Sequence, residues 1–139
     1  MEKTKKPWLI VMCGLACSGK STLAKKIADE RDAEIISSDE LRKEMFGDET
    51  HQEDKNKLFT EYNKRIRTAL ERGSDVISDK TNLSIRSRRA ILEAVKDLDI
   101  YKECVICNIP FEKCLENNWN RERHVPEEVI RRQLYGFQV

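Results

Sequence analysis

The chain has 139 residues, enough for one domain with its own core, and its formal charge of +1 follows from 26 basic and 25 acidic side chains. This balance excludes a strongly basic nucleic-acid coat and an acidic solvating tail, so a site for a polyanion is expected as a local patch. No apolar run approaches the roughly 18 residues of a membrane helix or the apolar stretch of a signal peptide. The sequence therefore predicts a cytoplasmic protein with no membrane partner.

The first half of the chain alternates apolar runs with helical patterns. A continuous apolar run at Trp8–Cys13 predicts a strand that is covered on both faces, and a helix is expected from about Lys20. The next predicted elements are a strand at Glu34–Ser37, a helix at Asp39–Phe46 closed by Gly47, and a long helix that Gly73 ends, with Leu58, Phe59, Tyr62, Ile66, Ala69 and Leu70 on one face.

The second half repeats this alternation. The predicted elements are strands at Asp75–Asp79 and Tyr101–Ile109, a helix after the cap residue Ser84, a helix from Phe111 to about Asn120, a basic connector at Arg121–Val125 and a last helix with Pro126 in its first turn. Strands that alternate with helices predict an α/β fold, a three-layer sandwich around a parallel sheet of about four strands. We expect residues 1–139 to form a single domain.

The cysteines indicate free thiols. Their odd number, five, argues against a complete disulfide framework, and no second Cys or His pair follows Cys104 and Cys107 at the spacing of a zinc site. We expect buried structural thiols at Cys13, Cys17, Cys104, Cys107 and Cys114.

The most specific motif is Gly14-Leu-Ala-Cys-Ser-Gly19-Lys20-Ser21, which matches the phosphate-loop pattern G-x-x-x-x-G-K-[ST] between a strand and a helix. The glycines let backbone N–H groups point into one concavity, and the helix N-terminus adds partial positive charge. Lys20 is expected on the β- and γ-phosphates and the Ser21 hydroxyl on Mg²⁺. The alternative is a glycine-rich turn with an exposed lysine. The predicted nucleotide-binding residues are Gly14, Ala16, Cys17, Ser18, Gly19, Lys20, Ser21 and Thr22.

The phosphate loop is shared by GTPases, motors, transporters and kinases. Motors and transporters have larger domains, and the base-reading motif N-K-x-D of G proteins is not present in this sequence. A small chain with helical insertions after its second and fourth strands favours a kinase that phosphorylates a soluble acceptor.

Candidate acceptor residues follow the second and third strands, because ligands of open α/β sheets bind at the carboxyl ends of the strands. Asp39 is suited to take the proton of an acceptor hydroxyl, or else to cap the helix beside it. Arg42 either binds an anionic acceptor or pairs with a carboxylate. Asp79 orders the Mg²⁺ shell, positions Lys20 or an arginine, or makes structural hydrogen bonds.

Two basic clusters are further candidates. Arg86, Arg88 and Arg89 follow the third strand and either hold acceptor phosphates or form a solvated face. Arg121 and Arg123 lie between the last two helices, where an arginine on a mobile segment can stabilise the charge of phosphoryl transfer; the alternative is a solvated charge run.

Four segments together resemble the P-loop polynucleotide 5′-hydroxyl kinase family, the kinase domain of the phage end-healing type. They are G-L-A-C-S-G-K-S-T, S-S-D-E-L-R, V-I-S-D-K-T-N-L-S-x-R-x-R-R and N-R-E-R-H-V-P-E-E-V-I. The resemblance, from Leu9 to about Tyr135, implies ATP and Mg²⁺ as donor and cofactor, a nucleic-acid 5′ end as acceptor, and a helical lid over about residues 111–135. It implies catalytic roles for Lys20, Asp39 and the lid arginine Arg121, with Arg123 as a competitor. The candidate acceptor-binding residues are Arg42, Asp79, Asn82 and Arg88.

The sequence also departs from the phage pattern. Lys80 is an extra residue between Asp79 and Thr81, and the phosphatase motifs that follow the phage kinase domain are not present. The chain is therefore expected to be a kinase-only protein or a truncated one. Two other functions stay open: a P-loop kinase of a small-molecule hydroxyl (a sugar, nucleoside, antibiotic or nucleotide sugar), and an ATP-binding module without transfer activity.

Overall fold

The computed structural model describes residues 6–14, 19–48, 54–80, 82, 84–107, 111–120 and 127–136. Within these ranges the elements in chain order are β1 (Trp8–Gly14), α1 (Lys20–Arg31), β2 (Glu34–Ser37), α2 (Ser38–Phe46), α3 (Lys55–Glu71), β3 (Val76–Asp79), α4 (Ile85–Ala94), β4 (Tyr101–Cys107), α5 (Phe111–Trp119) and α6 (Glu127–Gly136). The predicted α/β architecture is confirmed.

The strands form one parallel sheet in the order β2-β3-β1-β4. Asp79, the last residue of β3, is the register partner of Met12 on β1 and of Ser37 on β2. Since these three strands run side by side in the same direction, the segments that follow them leave the sheet at one edge. This edge carries the start of α1, the start of α2 and the turn after β3.

Side chains of the central strands alternate between two apolar layers. Ile10, Met12 and Ile77 pack against α1 on one face. Residues Val11 and Val76 pack on the other face with α2, α3 and α4. The prediction that β1 is covered on both faces is confirmed.

Capping residues set the ends of α2 and α4. The Ser84 side chain accepts the backbone N–H of Ser87 at 3.0 Å and caps α4, as predicted. Gly47 closes α2 with a φ of +75°, in the left-handed region that glycine tolerates. The cap of α2 is Ser37, whose hydroxyl accepts the N–H of Glu40 at 3.3 Å. The capping alternative for Asp39 is therefore wrong, because the residue two positions earlier fills that place.

The cysteine expectation holds in part. Cys13 and Cys114 are buried, whereas Cys104 is exposed, because β4 is an edge strand of the described sheet. The Cys104 sulfur lies 3.3 Å from that of Cys13, and both are free thiols. Burial, together with the contact to Cys104, raises the pKa of Cys13 to about 12.

Among the described helices, none is both long and apolar enough to cross a membrane.

Candidate active site

Gly19 forms the turn from which α1 starts. Its φ of +85° lies in the left-handed region, which residues with a side chain rarely adopt. Its carbonyl accepts the N–H of Leu23 at 3.0 Å, so Lys20 is the first residue of the helix. The N–H groups of a first turn have no acceptor inside the helix, and together with the helix dipole they favour an anion at this position.

Asp79 holds the two side chains that the phosphate loop contributes to this edge. Its carboxylate accepts the Lys20 amine at 2.8 Å through Oδ1 and the Ser21 hydroxyl at 3.0 Å through Oδ2. Asp79 is 8% exposed and the Lys20 side chain 13%, so the ion pair is largely shielded from water. The structure thus places Asp79 with the predicted nucleotide-binding residues.

This cluster fits the phosphate and the Mg²⁺ that the sequence predicts. A hydroxyl and a carboxylate, those of Ser21 and Asp79, are hard oxygen ligands of the kind that Mg²⁺ takes together with substrate phosphates. Lys20 supplies a positive charge beside them. Ser21 and Thr22 lie exposed in the first turn of α1, so both are open to a ligand.

Asp39 and Arg42 form a second charged pair, one turn apart on α2. The Arg42 guanidinium donates to Asp39 Oδ1 at 3.0 Å. The Arg42 side chain is 10% exposed, whereas that of Asp39 is 54% exposed. A buried cation therefore fixes the position of a carboxylate that stays more than half exposed. The role of Asp39 as a general base stays a prediction.

Asn82 has the contacts of a positioning residue. Its side chain is 1% exposed and its Nδ2 donates to the carbonyl of Met12 at 2.8 Å and to that of Lys80 at 3.1 Å. These bonds tie the end of β1 to the turn after β3. The predicted contact of Asn82 with an acceptor has no counterpart among these bonds and stays a prediction.

Arg88 lies beside the same turn. Its Nη1 donates to the carbonyl of Asn82 at 3.0 Å, and its guanidinium also contacts the Cys13 thiol at the end of β1. The neighbouring Arg86 and Arg89 are exposed on α4. Arg88 therefore holds the turn after β3 against the end of β1. The two exposed arginines of the predicted cluster are open to a polyanion.

Lys80 stands out in the sequence as an extra residue, but its contacts with aromatic rings were not predicted. Its amine lies 4.4 Å from the ring centroid of Phe59 and 5.4 Å from that of Tyr62. Both rings belong to α3, on the sheet face opposite to Lys20. The signal was present in the alternation of β3, since the residue after Asp79 must face the other side.

Several predicted site residues lie outside the described residues. These are Ala16, Cys17 and Ser18 of the phosphate loop and the lid arginines Arg121 and Arg123. Their roles stay predictions.

Comparison with known proteins identifies the family. A family model described as an AAA domain, AAA_33, matches residues 9–139. The chain belongs to this family. It is 31% identical over 135 residues to the L-seryl-tRNA(Sec) kinase of Methanococcus maripaludis, an alignment that covers 93% of this chain and 52% of that relative. The chain thus spans about half the length of this curated relative.

Several solved structures share the fold of this chain. A chain of the Pnkp1/Rnl/Hen1 RNA repair complex superimposes with a TM-score of 0.82 at 18% identity, covering 96% of this chain and 45% of that one. A gluconokinase from Sinorhizobium meliloti gives a TM-score of 0.72 at 20% identity, covering 97% of this chain and 77% of that one. At these identities the likeness establishes a P-loop kinase fold.

Proposed function

We propose that this protein is an ATP-dependent kinase that transfers the γ-phosphate to the 5′-hydroxyl of a polynucleotide. The observation that carries the proposal is the order of three neighbouring strand ends, with Lys20 after β1, Asp79 on β3 and the Asp39–Arg42 pair after β2. Residues suited to a nucleotide phosphate thus border a carboxylate suited to take a proton. The names of two similar proteins, a tRNA kinase and an RNA repair complex, support an acceptor carried on nucleic acid.

In the proposed reaction the 5′-oxygen attacks the γ-phosphorus as its proton passes to the Asp39 carboxylate. The bond from the γ-phosphorus to the bridging oxygen breaks, and the products are ADP and a 5′-phosphorylated end. Because the Asp39 side chain is 54% exposed, its proton can then leave to water. A positioned general base of this kind contributes about 10²–10⁴ to the rate.

The remaining residues of the proposed site bind and orient. Lys20 neutralises charge on the phosphates, and Asp79 fixes the position of its amine. Mg²⁺, held by Ser21 and Asp79 with the phosphates, would add electrostatic stabilisation of the transferred group. Arg121 is the proposed lid arginine on that group. Arg42 orients Asp39 and, with the exposed arginines of α4, favours an anionic acceptor.

A second acceptor is favoured by one observation. The 31% identity to the L-seryl-tRNA(Sec) kinase extends over 93% of this chain. The same proton transfer to Asp39 would serve a seryl hydroxyl carried on tRNA, since both acceptors present an alcohol on a polyanion. The two candidates differ only in the group that enters beside Asp39.

An acceptor panel tests the proposal. The protein is incubated with γ-labelled ATP, Mg²⁺ and, separately, a 5′-hydroxyl DNA oligonucleotide, a 5′-hydroxyl RNA oligonucleotide, serylated tRNA and gluconate. Label on either oligonucleotide supports the proposed function, and a 5′-phosphorylated oligonucleotide serves as the control that must stay unlabelled. Label on serylated tRNA alone selects the second candidate. Label on gluconate alone, or no ADP formed with any acceptor, contradicts both.

A further inference from the structure

Lys80 lies between the two halves of the proposed site. It follows β3, which separates β1 with the phosphate-loop helix from β2 with Asp39. Its predecessor Asp79 faces α1, where it binds Lys20. Lys80 faces α3 on the other side of the sheet, the side on which α2 also packs.

The rings beneath Lys80 form a rigid support. Tyr62 is fully buried, and its hydroxyl donates to the carbonyl of Ile36 at 2.9 Å and lies 2.7 Å from the hydroxyl of Ser78. These contacts fix the ring against both β2 and β3. The ring faces of Phe59 and Tyr62 attract the ammonium, since both centroids lie within the roughly 6 Å over which a cation and a ring interact.

The described contacts of the Lys80 amine are with ring faces, and among the described residues it has no carboxylate partner. Ring faces occupy none of the three N–H donors of an ammonium in a directional hydrogen bond. The side chain of Lys80 is partly buried, so part of the cost of holding this charge is uncompensated in the free protein. A bound anion would offset that cost, and selection for binding at the expense of stability is common at functional sites.

We propose that Lys80 binds an anionic group of the acceptor from the α3 side of the sheet. The proposal rests on the proposed function for its ligand, which in a 5′-hydroxyl polynucleotide is the phosphodiester nearest the 5′ end. Lys80 is thereby a specificity-determining residue: it selects acceptors that carry a negative charge close to the reacting hydroxyl. Lys20, on the opposite face, serves the phosphates of the nucleotide.

Steady-state kinetics of Lys80→Met test this assignment, with a 5′-hydroxyl DNA oligonucleotide as the acceptor. The KM for the oligonucleotide is expected to rise about tenfold to a hundredfold, the range for loss of one charged hydrogen bond. The KM for ATP should stay within about twofold, and Lys80→Arg, which keeps the charge and the ring contacts, should recover most of the affinity. Lys96→Met is the matched control, because Lys96 is 69% exposed and follows the far end of α4.

A modified acceptor identifies the group that Lys80 binds. An oligonucleotide whose first linkage is an uncharged methylphosphonate is expected to bind the wild type as poorly as the unmodified one binds Lys80→Met. Lys80→Met should bind the modified and the unmodified oligonucleotide equally well, because the substitution and the modification remove the same contact. An unchanged oligonucleotide KM in Lys80→Met, or equal rises for the oligonucleotide and ATP, overturns the assignment and leaves the proposed function intact.

A binding readout keeps the two proposals separable. If the wild type transfers no phosphate to the oligonucleotide, the proposed function fails. The Lys80 assignment is then judged by reductive methylation of the amine, followed by peptide mass spectrometry, with and without inorganic phosphate. Protection of Lys80 but not of Lys96 supports an anion site, and equal labelling of Lys80 in both conditions overturns it.

Discussion

Asp79 and Lys80 are consecutive in the chain and act on opposite faces of the sheet. Asp79 accepts the amine of Lys20 at 2.8 Å on the side of α1, whereas the amine of Lys80 lies 4.4 Å from the ring centroid of Phe59 on α3. The alternation of side chains at the end of β3 produces this division. In the proposed reaction one peptide unit therefore joins the residues that serve the phosphate donor to a residue that serves the acceptor.

The ion pair between Lys20 and Asp79 is expected to stabilise the fold as well as the site. Asp79→Asn leaves an ammonium that is only 13% exposed without its carboxylate, so the free energy of unfolding should fall by about 1–3 kcal/mol. In a Lys20→Met background the same change should cost less, since no shielded ammonium remains. Urea unfolding of the four proteins measures this coupling. Strictly additive losses would contradict a stabilising contact.

Asn82 is expected to matter more for stability than for acceptor binding. Asn82→Ala removes the donor to Met12 and places alanine at a φ of +48°, so the free energy of unfolding should fall by about 2–4 kcal/mol. Asn82→Gly tolerates the backbone and lacks only the hydrogen bonds, and its loss should be smaller. Denaturant titration of both variants checks this order. A stable Asn82→Ala protein with a raised acceptor KM would instead support the predicted acceptor contact.

Lys80 should make stability depend on pH in the alkaline range. Burial lowers the pKa of Lys80 from 10.5 to about 8. Between these pH values the unfolded chain binds a proton that the folded chain does not, so the free energy of unfolding rises as the pH rises, by about 3 kcal/mol in all. Lys80→Met has no such titration and should be the more stable protein at the acid end of the interval.

Urea unfolding of wild type and Lys80→Met on both sides of this interval provides the measurement. The difference between the two proteins should shrink as the pH rises, because the wild type loses its partly buried charge. Using the difference cancels the other groups that titrate in the same range. Parallel curves would contradict a desolvated amine at this position.

Much of the fold could be predicted from the sequence, because its local signals agree with one another. The strand at Glu34–Ser37 has the predicted bounds, and both Gly47 and Ser84 end or begin a helix as their chemistry requires. The phosphate-loop motif likewise predicted that Lys20 and Ser21 lie at the carboxyl edge of the sheet. These features depend on residues that are close in the chain.

The rest depends on which elements are neighbours. Cys104 was expected to be buried, and it is exposed because β4 lies at the edge of the described sheet; an apolar run does not reveal strand order. The sequence leaves Asp39 with two roles, proton acceptor or helix cap, and the structure gives the cap to Ser37. The alternation of β3 indicates the sheet face of Lys80. Its contact with the Phe59 ring depends on the packing of α3 against β3, which joins residues about 20 positions apart in the chain and leaves no local pattern.

The most direct test of the account is phosphate transfer by wild type and Asp39→Asn, measured with γ-labelled ATP and a 5′-hydroxyl oligonucleotide. Asn keeps the size of Asp39 and an oxygen that can accept from Arg42, but it cannot take the proton. We expect a 5′-phosphorylated product from the wild type and a rate about 10²–10⁴ lower in Asp39→Asn, with ATP binding unchanged. Equal rates in both proteins, or transfer to an oligonucleotide whose 5′-oxygen is methylated, would contradict it.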